Sequence, residues 1–202
     1  DKSLHRESHN LDLFKVMAEP NQMLQLSAAA VLVERLRKSK KSREDQSERR
    51  SIIRGLISVL KDEPSAQDDL DEKTPTSPEL IKFISEHVLD AVGALDTKSG
   101  SGRISPMSDY DWQTARMDGA YLVGLDARGV DMWRASLTSC GLRRANFSGA
   151  ILKEVDLRGS VLAGAKLDQC DLRGADLRGV DLSEASVIGA HMEEAIMDEQ
   201  TK

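Results

Sequence analysis

The sequence predicts an N-terminal α-helical domain followed by a solenoid, and three observations carry that expectation. One five-residue frame runs without a slip from Ala115 to Glu199. Upstream of it, apolar residues recur at three- and four-residue intervals, the spacing of helix faces. Between the two, residues 97–108 are rich in Gly and Ser, the composition of a flexible linker.

The central position of the frame is held by Met117, Leu122, Ala127, Met132, Leu137, Leu142, Phe147, Leu152, Leu157, Leu162, Leu167, Leu172, Leu177, Leu182, Val187, Met192 and Met197. Two residues before each centre stands a small or modest side chain: Ala at ten places, then Cys140, Cys170, Ser160, Val130, Val155 and Val180, with Leu125 the one large exception. Tyr110-Asp111-Trp112-Gln113-Thr114 fits as a degenerate further unit. A helix cannot keep a period of five on one face, because at 3.6 residues per turn such positions spiral round it. A plain strand, with period two, fails as well. A solenoid accounts for the pattern. Each unit turns the centre and the small residue inward and the other three outward. Four units then make a square coil of about twenty residues, and coils stack by backbone hydrogen bonds. Residues twenty apart form columns, such as Met117, Leu137, Leu157, Leu177 and Met197. Another column reads Ala127, Phe147, Leu167, Val187, so the smallest centre lies against the largest.

The units Ala175-Asp176-Leu177-Arg178-Gly179, Val155-Asp156-Leu157-Arg158-Gly159 and Ala145-Asn146-Phe147-Ser148-Gly149 resemble the A(D/N)LXX units of pentapeptide-repeat proteins. That resemblance implies a right-handed quadrilateral β-helix over residues 109–199, with 200–202 as a tail. The ladder Leu137, Leu142, Phe147, Leu152, Leu157, Leu162, Leu167, Leu172, Leu177 and Leu182 is then its structural core.

Residues 1–20 form a lead-in segment, polar at first and then apolar at Leu11, Leu13, Phe14, Val16 and Met17, with one short helical face ending near Pro20. Residues 21–96 read as the helical domain. Glu19-Pro20-Asn21 signals a helix start, and Leu24, Ala28, Val31, Leu32 and Leu36 form its stripe. Asp45 and Glu48 have the spacing of a capping box before Ile52, Ile53, Leu56, Ile57 and Leu60. Ser77-Pro78-Glu79 opens a third helix, Ser as N-cap and Pro at the first helical position, whose stripe is Leu80 or Ile81, Ile84, Val88, Val92 and Leu95. Residues 63–77 between them read as an acidic loop. Gln25 to Leu36 resembles the "RLAAIYALERL" helix of a module that often precedes bacterial pentapeptide repeats, and Arg50–Leu56 and Ser77–Leu80 fall where its next helices belong. Members of that group are frequently tethered to a membrane by upstream helices. Two cysteines read as unpaired and no signal-peptide pattern give a cytoplasmic location as the expectation, and, as the chain opens at Asp1, association with the inner membrane through a preceding segment is part of it.

The 202 residues carry a net charge of −6, with 31% charged and only 3% aromatic side chains, a balance that suits a Leu-filled solenoid. No run of residues approaches the length of a membrane span. Cys140 and Cys170 occupy inward positions one and a half coils apart, too far for a disulfide, and read as buried small residues. His5, His9, His87 and His191 are scattered without metal-ligand spacing, and no phosphate loop, nucleophile elbow or paired-carboxylate motif is present. Asp126, Asp131, Asp156, Asp171, Asp176 and Asp181 recur before the centre and read as outward ladder positions. We therefore expect no cofactor, no metal and no enzyme activity.

Three features suit binding instead. The solenoid surface, residues 109–199, carries sixteen acidic and ten basic residues, and its Asp156, Asp176, Arg158 and Arg178 are candidate contacts for a protein partner. Some pentapeptide-repeat proteins imitate DNA and occupy a type II topoisomerase, but mimicry needs long rows of anions, and here Arg158 stacks with Arg178. The run Arg35, Arg37, Lys38, Lys40, Lys41, Arg43 suits a helix end or an anionic membrane surface; without interleaved aromatics it suits nucleic acid poorly. Met192 and Met197 lie in the last coil, where an uncovered edge predicts pairing with a second copy. Tyr110, Trp112 and Tyr121 are expected to cap the first coil against the helical domain. The leading expectation is a non-enzymatic protein-binding scaffold.

Overall fold

The computed structural model describes residues 2–19, 21–38, 43–61, 77–93 and 106–202, and the chain divides into two compact units, residues 1–91 and 92–202. Lys40, Lys41, Leu95, residues 63–76 and 97–105, and the side chains of Arg43 and Val92 lie outside the described residues.

The first unit contains α1 (Lys2–Met17), α2 (Gln22–Lys38), α3 (Arg43–Lys61) and most of α4 (Pro78–Gly93). α1 packs on α2 and α3, and α2 on α3. α1 begins well before the short apolar face that the sequence suggests. Its Leu11 is exposed, while Asn10 is buried. Asn10 has a reason to be inside: its amide donates to Glu48 Oε1 at 3.4 Å and its carbonyl accepts from the Arg35 guanidinium, so one side chain links three helices. Asn21 caps α2 by accepting from the N–H groups of Met23 and Leu24 at 3.0 and 3.2 Å.

The buried stripe of α2 is Gln25, Ala28, Ala29, Leu32, Val33 and Leu36. Leu24 and Val31, assigned to that stripe from the sequence, are 44% and 42% exposed. The face is rotated by one residue because Gln25 goes inward, its amide donating to Glu19 C=O at 2.7 Å. In α3 all five expected residues, Ile52, Ile53, Leu56, Ile57 and Leu60, are buried. The helix starts at Arg43, before Asp45, so Asp45–Glu48 is not its cap. Phe14 of α1 lies over Gly55 of α3, so close that a Cβ there would sit 2.3 Å from the ring. Ser77 does cap α4, its Oγ accepting from Leu80 N–H at 3.2 Å. Leu80 and Ile81 are both buried, with Ile84 and Val88. Gln22 Nε2 bonds Glu79 Oε2 at 2.9 Å, tying the starts of α2 and α4.

The second unit is a solenoid. Parallel bridges join residues twenty apart, from Arg116↔Ser136 to Asp176↔Ile196, each an isolated pair rather than part of a long strand. The bond pattern repeats. Leu157 N–H donates to Asp176 C=O at 2.9 Å, Gly159 N–H to Arg178 C=O at 3.0 Å, and Asp176 N–H back to Val155 C=O at 2.9 Å. Within each unit a turn closes, as where Ala175 N–H meets Leu172 C=O at 3.0 Å. The residue two after the centre is left-handed at every turn from Thr114 to Glu194: nine times it is Gly, and eight times a residue with a side chain, such as Gln169 at φ 58°. Trp112 serves as the first centre. It is fully buried, its indole N–H donates to Met107 C=O at 2.9 Å, and Pro106–Asp109 forms a 3-10 turn beneath it.

The inner columns are where the period places them. Leu137, Leu142, Phe147, Leu152, Leu157, Leu162, Leu167, Leu172 and Leu177 are all at most 1% exposed. Leu182 is half-buried, and Val187 is 42% exposed. Leu125 is half-buried too. A Leu is too large for the inward corner that Ala fills. Small polar residues at that corner are satisfied by the coil below. Ser160 Oγ accepts from Cys140 N–H at 2.8 Å and donates to Leu137 C=O, standing in for that turn's own bond. The thiols of Cys140 and Cys170 point at the C=O groups of Met117 and Phe147 at 3.0 and 2.7 Å.

Leu157→Asp should abolish cooperative melting of the solenoid, since it buries an unpaired charge, whereas Leu157→Ala should cost about 2–5 kcal/mol. Retained native melting in Leu157→Asp, read by circular dichroism of the full chain, contradicts the assignment of the core. At the corners, Gly164→Ala places a Cβ at φ 68° and is expected to cost about 1 kcal/mol, while Gln169→Gly relieves the same strain and should not destabilise. Equal losses from both changes would show that the left-handed corner is not what selects Gly.

Candidate functional site

The outward surface of the solenoid falls into four rows of units, twenty residues apart along each row. The first row has centres Met117, Leu137, Leu157 and Leu177. The second has Leu122, Leu142, Leu162 and Leu182; the third has Ala127, Phe147, Leu167 and Val187; the fourth has Met132, Leu152, Leu172 and Met192. The candidate contacts Asp156, Arg158, Asp176 and Arg178 all belong to the first row. The structure brings them into one group.

What holds them is local. An Asp just before the centre accepts from the N–H two residues on, closing an Asx turn: Arg158 N–H to Asp156 at 3.1 Å, Arg178 N–H to Asp176 at 3.2 Å. In Asp-Leu-Arg units the Arg then forks the same carboxylate. Arg158 Nη2 reaches Asp156 Oδ2 at 2.6 Å, and Arg173 Nη2 reaches Asp171 Oδ2 at 2.6 Å. Arg178 Nη2 reaches Asp176 Oδ2 at 2.5 Å, and Arg128 Nη2 reaches Asp126 Oδ2 at 2.8 Å. Arg158 also lies 3.7 Å from Asp176, linking two coils. The recurring Asp are therefore turn-closing residues, and Asp126, Asp156, Asp171 and Asp176 have their charge met at once by an arginine, an arrangement that suits structure rather than acid–base chemistry. A second set was missed. Asp118 and Asp168 follow their centres and reach the next coil, accepting from Thr138 N–H at 3.0 Å and Ile188 N–H at 3.1 Å. Their offset of two from the first set was the available signal.

Elsewhere the placements vary. Arg35 is turned into the helical unit against Asn10, Lys38 pairs with Glu34 at 3.1 Å, and Arg37 is exposed, so the described part of the basic run is not one free patch. Met192 is half-buried and Met197 is 48% exposed. Tyr110 and Trp112 are buried, but Tyr121 is 72% exposed; it stands just before a centre, an outward position. Both cysteines are free and buried, and desolvation pushes the Cys170 thiol up to about 12. Among the described residues no His, Cys, Asp or Glu group has the geometry to hold a metal ion, and no helix is long and apolar enough to cross a membrane.

The forked carboxylates set an acid limit. The hydrogen bonds from Arg173 hold Asp171 at about 2, and Arg128 and Arg178 lower Asp126 and Asp176 in the same way. A carboxyl depressed in the folded state contributes stability that is complete above its unfolded value, about 4, and is lost as pH falls toward 2. The melting temperature of the full chain should therefore drop between about pH 4 and pH 2, and Asp171→Asn should flatten that drop. An unchanged profile in Asp171→Asn contradicts the assignment.

Pentapeptide repeats, in eight copies, match residues 115–153, 140–179 and 175–199. No protein of curated function matches the chain. Among solved structures, the pentapeptide repeat protein Rfr23 from the cyanobacterium Cyanothece 51142 is 27% identical over 44% of this chain and 60% of its own length, with a TM-score of 0.44. A pentapeptide repeat protein from Nostoc Pcc 7120 is 31% identical over 45% of this chain and 76% of its own, TM-score 0.42. QnrB1, a plasmid-mediated fluoroquinolone resistance protein, is 22% identical over 45% of this chain and 56% of its own, TM-score 0.25. The matched region thus spans less than two thirds of Rfr23 and of QnrB1. With its unbroken five-residue frame, its stacked twenty-residue coils and the eight repeats matched within residues 115–199, the chain belongs to the pentapeptide repeat proteins.

Proposed function

We propose that this chain is a non-enzymatic scaffold that binds another protein through the outward rows of its solenoid, which we take to be the right-handed quadrilateral β-helix implied by its repeats. One observation carries the reading. The backbone ladder and the Asx turns fix the outward side chains at a regular spacing, so the surface is preorganised and loses little freedom on binding. Nothing comparable supports catalysis, because the recurring carboxylates close turns and four of them pair with arginines. Those arginines also weigh against imitation of DNA, in which anions recur about every 1.7 Å without internal neutralisation. The same reading takes the coil bearing Met192 and Met197 as the seat of a second copy.

A photo-crosslinking residue placed in the full chain at Arg178, Ser183, Ile188 or Glu193 samples each row once at an exposed position. Irradiation in host lysate should give a discrete protein adduct from one or two of the four. Adducts from none of them would defeat the scaffold reading, and a type II topoisomerase as the adduct would replace it with DNA mimicry. A self-adduct through Ile188 or Glu193 is the expected mark of pairing, and a monomeric mass by light scattering counts against it.

A further inference from the structure

The second row differs from the other three. Of the eight arginines in the solenoid's described residues, Arg116, Arg128, Arg134, Arg158, Arg173 and Arg178 each have a carboxylate within salt-bridge reach. Arg143 and Arg144 do not. The reason is compositional: the units centred on Leu122, Leu142 and Leu162 contain no Asp or Glu, and acids return only at Asp181 and Glu184. Both arginines are exposed. Arg144 extends toward the next coil, where its Cγ would lie 3.5 Å from a Cβ built on Gly164.

Beside them is the most apolar outward column of the solenoid. The positions just before the centres read Tyr121, Gly141 and Val161 in the first three coils, with Asp181 in the fourth, where the other columns carry charged or polar residues in most coils. The Tyr121 ring lies along Gly141, whose added Cβ would meet it at 3.2 Å, and the residue is still 72% exposed. Val123, two residues on, is 42% exposed. An exposed Tyr beside two exposed arginines that have no carboxylate within salt-bridge distance among the described residues, Arg143 meeting only the more distant charge of Asp181, set on a floor of small residues, is the composition of an interaction hot spot.

We infer that the row of Tyr121, Arg143 and Arg144 is a docking surface for an acidic segment of a partner protein, one that places an Asp or Glu beside an apolar or aromatic side chain. Arg can take a carboxylate bidentately, and the apolar neighbour covers Tyr121 and Val123. A nucleic acid fits less well. The chain carries −6 overall, which repels a polyanion, while a single acidic side chain is drawn by the two local charges. This surface rests on the scaffold reading and narrows it to one row and one partner chemistry.

The test is an array of short peptides of random sequence probed with the full chain. Bound peptides should be enriched in Asp and Glu next to Phe, Tyr, Trp or Leu. Arg143→Glu with Arg144→Glu should reverse the charge preference toward Lys and Arg, and Tyr121→Ala should weaken binding about tenfold or more without changing it. All three residues are exposed, so unchanged melting of the variants checks that they fold. Bound peptides no more acidic than the array, or a preference that survives the double substitution, overturns the proposal. So does tighter binding of a single-stranded oligonucleotide that the double substitution abolishes, since the surface would then be a phosphate site. If no peptide binds while the crosslinked adduct from lysate persists, this row is wrong and the scaffold reading stands; if both vanish, both fail.

Discussion

The solenoid depends on the backbone bonds that run from one coil to the next. Leu157 N–H to Asp176 C=O, and Asp176 N–H back to Val155 C=O, are one instance of a pattern repeated along the unit. The pattern demands that residues twenty apart lie one above the other, and so every coil must use the same number of residues. That constraint explains why the frame has no insertion over its length. One extra residue would turn each later centre outward and expose its leucine. Burial then acts through the same geometry. A central Leu touches its column neighbours above and below, and the small residue before it leaves room for the corner.

The corners are the second constraint, and they show how the chain tolerates variety. Every described turn up to Glu194 needs one left-handed residue. Glycine supplies it without strain, yet Thr114, Arg134, Ser139, Arg144, Glu154, Gln169, Glu184 and Glu194 accept it. Such residues cost about 1 kcal/mol or more each, and the bonds on both sides of the coil hold them there. Some gain a role from it: Arg134 bonds Glu154 at 2.7 Å across coils and stacks on Trp133 at 4.4 Å. Corner composition is therefore loose where the column beneath is tight, which leaves the outer surface free to diverge.

Surface charge follows from the turns. An Asp ahead of the centre closes its turn through the backbone, and at Asp126, Asp156, Asp171 and Asp176 an Arg two residues later takes up the remaining carboxylate charge. Where the units contain neither Asp nor Glu, as in the second row up to Leu162, the arginines have no carboxylate within salt-bridge distance among the described residues.

The sequence by itself determined the solenoid. A five-residue period has one packing solution, so the buried columns, the corner glycines and even the degenerate unit around Trp112 could be read in advance, as could the stripes of α3 and α4. Residues 25 and 24 show where that reading stops. Both suit a helix face, and only the bond from Gln25 to Glu19 C=O decides which one goes inside. Asn10 was illegible for the same reason: a polar residue is buried when partners from distant helices, here Arg35 and Glu48, happen to meet it. The rows of Asp and Arg were legible as outward positions, but not as pairs, because a side chain's choice between solvent, its own turn and the next coil depends on three-dimensional distance. The same distances singled out Arg143 and Arg144 as the solenoid arginines with no carboxylate within salt-bridge distance among the described residues.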